Sequence, residues 1–499
     1  MLVLLLVYSG GFMKKGFDNK KYIKIQSKKI KERFKLFDKL YLEIGGKLFD
    51  DYHASRVLPG FDPNAKINMF KELKDDLEII FCINANDIER NKVRAEFGIT
   101  YDVEVMRLID NLAGLGFLIN SVVITLYNNQ RSVDKFINKL ERHGIKTYIH
   151  TFTKGYPSDV DTIVSDEGYG VNEYIETTKK LVLVNAPGPG SGKLATCLSQ
   201  LYHEHKRGIN AGYAKFETFP VWNLPLKHPV NVAYEAATAD LFDVNQIDSF
   251  HLTEYNITAV NYNRDLTTFP ILKAILNKIT GKDIYKSPTD MGVNMIKDCI
   301  FDDEVIVKAA QKEIVRRYYQ EKVNYKTGLV NIDVVDKIKV LMNELNINEN
   351  LLDTVDKALE KSRESNKNVL AIKISNKKII TGKETELLSA PSALIINAIK
   401  SLSRIPDDID LLSPSILEPI LKQRKNKTPL QLPEVMIALS VCSVTNPVVE
   451  KALSCLNKLK NTEAHATYIV TNGDKKVLTD LGIRLTCEDK FYSDNLFYD

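Results

Sequence analysis

From Leu181 to Gly208 the chain reads LVLVNAPGPGSGKLATCLSQLYHEHKRG. A buried strand, a turn dense in glycine and proline, and an amphipathic helix follow one another. In a phosphate-binding loop of the form G-x-x-x-x-G-K-[ST], glycines let backbone N–H groups curl round an anion. The lysine neutralises the outer charge and the hydroxyl holds Mg²⁺. Gly188, Gly190, Gly192 and Lys193 supply the inner part of that pattern, and Leu194, Cys197, Leu198 and Leu201 form one apolar helical face behind it. The positive end of the helix dipole lies where an anion would sit. Two positions depart from the pattern. Pro187 stands at the outer glycine, fixing φ and removing an N–H. Leu194 stands at the hydroxyl position, so Ser191 or Thr196 would have to reach a metal from a different geometry. Asp166, in TIVSDEGYG, has the chemistry of an acidic metal ligand but precedes the loop in the chain. The expected binding set is therefore Gly188, Gly190, Ser191, Gly192, Lys193 and Thr196, with Asp166 the metal candidate. The alternative is a tight turn that only packs a helix on a sheet.

Other polar clusters offer supporting chemistry. VNYNRDLTTFP brings Asn261, Asn263, Arg264 and Asp265 together after an apolar stretch. Arg264 has the fork to clamp a phosphate and Asp265 can act as base or metal ligand; equally, the two can brace a loop. HASRVLPGFDPN offers His53, Arg56 and Asp62 around a Pro59–Gly60 turn. KHPVNVAYEAATADL carries His228, Asn231, Tyr234, Glu235 and Asp240, and Glu235 among small apolar residues is either a buried, shifted acid or a helix-face charge. His203 and His205 point about 200° apart on a helix, which suits a solvated helix end better than a shared metal ion.

The elements that must carry these residues alternate. LEIIFCIN (Leu77–Asn84), SVVITLY (Ser121–Tyr127), KTYIH (Lys146–His150) and LVLVN read as strands, with DTIVSDEG a further candidate. Helices over Val103–Gly116 and Ser132–Gly144, the second with a Ser132 cap, separate them. Such alternation predicts an α/β fold with a parallel sheet, helices on its faces, and ligands beyond the carboxyl ends of the strands. Residues 13–286 are read as this domain and 287–366 as a helical domain, with Ile306, Ala310, Ile314 and Tyr318 on one stripe. Residues 367–499 are read as a small α/β domain, opened by the hairpin VLAIKISNKKIITGK turning at Asn376, and containing a strand ATYIV (Ala466–Val470).

Composition is that of a globular protein, and 499 residues are too many for one core. The net charge of +4 is spread along the chain, which gives no footprint for nucleic acid. Six scattered cysteines without a C-x-x-C pair point to reduced thiols in the cytoplasm rather than a disulfide framework. The apolar run Leu2–Tyr8 is too short to span a membrane and lacks a basic segment ahead of it, so residues 1–12 are read as an extension before Met13.

The runs MKKGFDNKKY, HASRVLPGFDPNAKI, NAPGPGSGKLATCLSQLYHEHKRG, GYAKFETFPVWNLPLKHPVNVAYEAATADL and VNYNRDLTTFP resemble an uncharacterised bacterial family known as a domain of unknown function. VCSVTNPVVEKALSCLNKLK, ATYIV and DLGIRLT resemble its C-terminal domain. The resemblance implies a multi-domain protein whose C-terminal part is similar in fold to cytidine deaminases, and it implies no activity. A zinc deaminase needs H-x-E and P-C-x-x-C. Residues 367–499 hold one histidine, His465, and no such cysteine pair, so neither deaminase chemistry nor zinc is expected. The expected function is that of a phosphotransferase-like enzyme binding ATP, another nucleotide or a phosphorylated small molecule at Gly188–Lys193, with magnesium left open. Lys193, Arg264 and Asp265 would act in it. The alternative is a non-catalytic ligand sensor or assembly protein. A homo-oligomer is expected, and no membrane or nucleic-acid partner.

Overall fold

The computed structural model describes residues 14–94, 98–375, 378–423 and 428–493. The extension read over residues 1–12 and the Asn376 turn lie outside the described residues. The chain divides into two compact units, Lys15–Glu235 with Phe242–Ala310, and Ala236–Leu241 with the chain from Gln311 onward.

The first unit is built on six parallel strands: β1 (Lys39–Ile44), β2 (Leu77–Asn84), β3 (Leu118–Thr125), β4 (Lys146–His150), β5 (Leu181–Asn185) and β6 (Ala211–Phe216). Their order is β4-β3-β2-β5-β1-β6. All six residues of β1 and all five of β5 are buried, as central strands of a parallel sheet must be. Helices α1 (Asn19–Phe34), α2 (Tyr101–Gly114), α3 (Arg131–Arg142), α4 (Lys193–Lys206) and α5 (Asn263–Thr280) flank the sheet, and two short antiparallel strands, β7 (Asn245–Ile247) and β8 (Val260–Tyr262), precede α5. Cys197 and Leu201 of α4 and Phe269 and Leu276 of α5 share one core with Tyr41, Cys82, Val123, Val184 and Tyr213 from the sheet. Strand periodicity then puts Glu43, Asn84, Thr125 and Lys215 on the same face, near the carboxyl ends.

Chain direction locates the crevice. From β2 the chain passes to β3 on one side, whereas from β5 it passes over β1 to β6 on the other. Neighbouring strands β2 and β5 thus send their connections apart, and their carboxyl ends border the opening where open α/β sheets take ligands. The turn that follows β5 is the glycine loop.

Two local readings need correction. DTIVSDEG is not a strand: Val160–Ile163 is one helical turn, held by the Asp159 carboxylate accepting from the Thr162 amide. Ser132 lies inside α3, whose N-cap is Gln130.

The second unit carries α6 (Asp303–Lys326) from Gln311 on, α7 (Ile332–Glu344), α8 (Asp353–Ser365), β9 (Val369–Ser375), β10 (Lys378–Lys383), α9 (Ala390–Ser403), α10 (Leu432–Ser443), β11 (Glu463–Ala466) and β12 (Arg484–Cys487). Its four-stranded sheet has the order β10-β9-β11-β12, antiparallel except for the β11–β12 pair. The strand read at Ala466–Val470 lies earlier, at Glu463–Ala466. Glu463 there pairs with Lys312 and Arg316, each at 3.2 Å. His465 is fully buried, with Nδ1 2.9 Å from the Thr486 hydroxyl and Nε2 3.3 Å from Glu488.

Candidate functional site

The loop between β5 and α4 has its carbonyls tied and most of its amides left open. Asn84 Nδ2 donates to Gly190 O at 3.2 Å, Thr125 Oγ1 to Ser191 O at 3.0 Å, and Ser191 Oγ to Gly188 O at 2.9 Å. Among the described residues, the backbone N–H groups of Gly188, Gly190 and of Gly192 through Ala195 donate to no atom of the chain, while the tight turn at Pro189–Gly190 sets the Ser191 N–H over Gly188 O. The first amides of a helix are always orphaned within it. Here the preceding turn adds more, and Pro189 and Gly190 are exposed to solvent. Gly192 is the N-cap with φ +82°, and a Cβ there would meet Thr125 at 2.7 Å. Gly188 lies so close to the Tyr101 ring, the first residue of α2, that a Cβ would sit 2.3 Å from its hydroxyl. Glycine at these positions follows from geometry that larger residues cannot share.

A charged cluster adjoins the loop. Lys193 Nζ is 3.9 Å from Glu43 Oε1, and Glu43 accepts from the Tyr213 hydroxyl at 2.8 Å. Glu43 stands opposite Lys215 in the β1–β6 ladder. Lys215 Nζ donates to Asp265 Oδ2 at 2.7 Å and lies 3.1 Å from Glu217 Oε1. Asp265 enters from the first turn of α5. Burial works against the Lys215 charge, but Glu217, Asp265 and Glu43 outweigh it and hold its pKa above the ordinary value. Burial pushes the Glu217 carboxyl up to about 7; Lys215 opposes the rise, and Asp265 and Glu43 add to it. About a quarter (26%) of the Glu217 side chain still reaches solvent. Gly45 makes room for it: a Cβ there would be 2.1 Å from Glu217 Cγ. The Tyr262 hydroxyl, in the same neighbourhood, is buried and makes no hydrogen bond among the described residues.

The expected site residues divide accordingly. Lys193 and Asp265 join one cluster through Glu43 and Lys215. Arg264 turns instead to Asp243, with its Nη2 at 3.3 Å and half of its side chain exposed, which is the loop-bracing role. Ser191 Oγ is committed to Gly188 O. Thr196 is buried one turn into α4, where Cys82 donates to its hydroxyl; burial pushes that thiol up to about 12, so it stays protonated. Asp166 binds Tyr202 and Lys206 near the far end of α4, and the fold does not bring it to the loop. His203 and His205 bond separate carbonyls, those of Asn172 and Ala211. Glu235 accepts from the Asn245 backbone and side chain, and Asp62 from Asn64 and Asn68.

With this geometry in place, the relatives can be set beside it. The family described as "Domain of unknown function DUF1846" matches residues 15–346 with its N-terminal part and 350–497 with its C-terminal part. The chain belongs to the DUF1846 family. Its relatives include the UPF0371 proteins of Clostridium tetani (54% identical over 500 residues) and Clostridium botulinum strain Langeland (53% over 500). A third, from Clostridioides difficile strain 630, is 55% identical over 501 residues. Each alignment covers 97% of this chain and 100% of the relative. No described helix of this DUF1846 chain is long and apolar enough to cross a membrane.

Sequence reasoning missed Glu43, Tyr213, Lys215 and Glu217. The signals were KLYLEIGG and AGYAKFE, two short strands that run into glycines or an acid, but the charges inside them disguise their burial.

Proposed function

We propose that this protein binds the phosphate of a nucleotide or phosphorylated small molecule on the loop Gly188–Lys193 and processes it there. The observation that carries this reading is the run of uncommitted amides at the β5–α4 turn, beside Lys193 and at the sheet's switch point. Lys193 would leave Glu43 for the ligand, and the carboxylates around Lys215 would supply acid–base chemistry. The reaction class is group transfer or hydrolysis at phosphorus, in which positioning and charge stabilisation do most of the work. Arg264 and Asp166 have no part in it. The ligand is recognised by amides and Lys193, since the Ser191 and Thr196 hydroxyls, the two expected to reach a metal, are both engaged. That same engagement favours a second reading, a ligand sensor working as a homo-oligomer.

For the second unit we infer the deaminase-type fold that the resemblance implies, supported by the order β10-β9-β11-β12 with only its last pair parallel. A shared fold carries no activity with it.

Thermal shift of the full chain against ATP, GTP and inorganic phosphate, with and without Mg²⁺, tests the binding. A ligand that binds only the folded state raises the midpoint. The shift is expected in the wild type and lost in Lys193→Ala; an undiminished shift in that variant removes the loop from the account. A shift that needs Mg²⁺ supports phosphoryl transfer over sensing.

A further inference from the structure

We propose that Glu217 is the proton-carrying residue of this site, and that anion binding at the loop is coupled to proton uptake by its carboxyl group. The inference rests on the phosphate-binding reading above and adds to it the group that sets its proton balance.

Charge arrangement makes the case. Two cations, Lys193 from α4 and Lys215 from β6, face three carboxylates: Glu43 from β1, Glu217 just beyond β6, and Asp265 from α5. With all five ionised the cluster carries one negative charge in excess, and a phosphate group would add more within reach of Lys193. Like charges gathered in a partly desolvated site cannot all remain ionised. One carboxyl must take a proton for the anion to stay.

Geometry selects Glu217. Asp265 is fixed by the 2.7 Å bond from Lys215, and Glu43 by the 2.8 Å bond from Tyr213 and its place opposite Lys215 in the ladder, both of which remain when Lys193 turns to the ligand. Glu217 has the longer contact to Lys215, 3.1 Å, and an edge open to solvent through which a proton can arrive. Its other titratable neighbours are Tyr234, from the helix Pro229–Ala237, and Tyr262, from β8; burial raises both phenols, so neither competes for ionisation near neutrality. The nearby Asp51–Lys66 pair, at 3.1 Å, cancels its own charge. Burial already lifts the Glu217 carboxyl to about 7, so it is the group poised to change state in the physiological range. Protonated, Glu217 frees Lys215 from one of its partners and removes one repelling charge from the cluster beside the loop.

Calorimetric titration of the full chain with inorganic phosphate, in two buffers of different ionisation heat across pH 6.5–8.5, tests this. Phosphate's own titration is common to every protein compared, so it cancels between wild type and variant. The wild type is expected to take up more protons than Glu217→Gln at pH 7.5 and above. The wild type should lose affinity relative to that variant by up to about tenfold per pH unit above 7, and Glu217→Asp should restore the slope. Equal proton counts in wild type and Glu217→Gln, with binding intact, overturn the assignment of Glu217 alone. Absence of phosphate binding in both proteins overturns it together with the loop reading. Matched far-ultraviolet spectra and melting of the isosteric Gln variant guard against a folding artefact.

Discussion

Replacing Lys215 by methionine probes the charge cluster most severely. The ammonium lies 2.7 Å from Asp265 and 3.1 Å from Glu217, opposite Glu43. Methionine keeps most of the volume and removes the charge, leaving three carboxylates without their common partner. Removing one member of a buried ion pair destabilises by about 3–5 kcal/mol. For a unit of this size each kcal/mol moves the melting midpoint by about 2–4 °C, so a fall of roughly 6–20 °C is expected at pH 8. The sign with pH is fixed. Loss of Lys215 removes the cation that opposes the rise of the Glu217 pKa, and an acid whose folded pKa is raised contributes its stability below its unfolded pKa and loses it as pH rises through the folded one. The deficit is therefore largest at pH 8 and shrinks towards pH 5. Adding Glu217→Gln to Lys215→Met should recover a substantial part of it, a coupling that a double-mutant cycle measures. Calorimetric melting of the wild type, both single variants and the double variant at pH 5 and pH 8 supplies the numbers. A Lys215→Met protein that melts within about 2 °C of the wild type at pH 8, or whose deficit is the same at both pH values, refutes the reasoning.

Two further substitutions separate the loop from its surroundings. Gly192→Ala places a side chain at φ +82° against Thr125; it should lower stability by at least about 1–2 kcal/mol and abolish the phosphate-induced thermal shift, whereas a normal shift would mean that the turn geometry is irrelevant to binding. Asp166→Asn alters a residue paired with Lys206, about 20 Å along α4 from Lys193 at 1.5 Å per residue. Ligand affinity measured by calorimetry should be unchanged, and a tenfold loss would restore Asp166 to the site.

Much of the sheet could be read because its strands are uniform. LEIIFCIN and KTYIH end where they were expected to end, since apolar runs bounded by polar turns have few alternatives. The glycine loop was equally legible through its glycines, prolines and following helix. The two strands that complete the site were not. Lys39 and Glu43 in β1, and Lys215 in β6, look like solvent-facing positions because charges are seldom buried. Lys39 and Glu43 can be buried, and Lys215 half-buried, because partners arrive from distant segments: Glu204 for Lys39 at 2.8 Å, and Asp265, 50 residues along the chain, for Lys215. Local pattern holds no record of such pairing. The same limit explains Arg264 and Asp265, neighbours in sequence whose helix positions send one to Asp243 and the other to Lys215. Ser191 and Thr196 illustrate it again: their types suit a metal, but their hydroxyls are taken up by Gly188 and Cys82.

The most direct test of the amide loop is a crystal structure of the full chain grown with inorganic phosphate or ATP. The account predicts phosphoryl oxygens within hydrogen-bond distance of the amides of Gly190 and of Gly192 to Leu194, with Lys193 Nζ drawn from Glu43 to the ligand. A ligand bound elsewhere, with those amides closed onto neighbouring carbonyls, would contradict it.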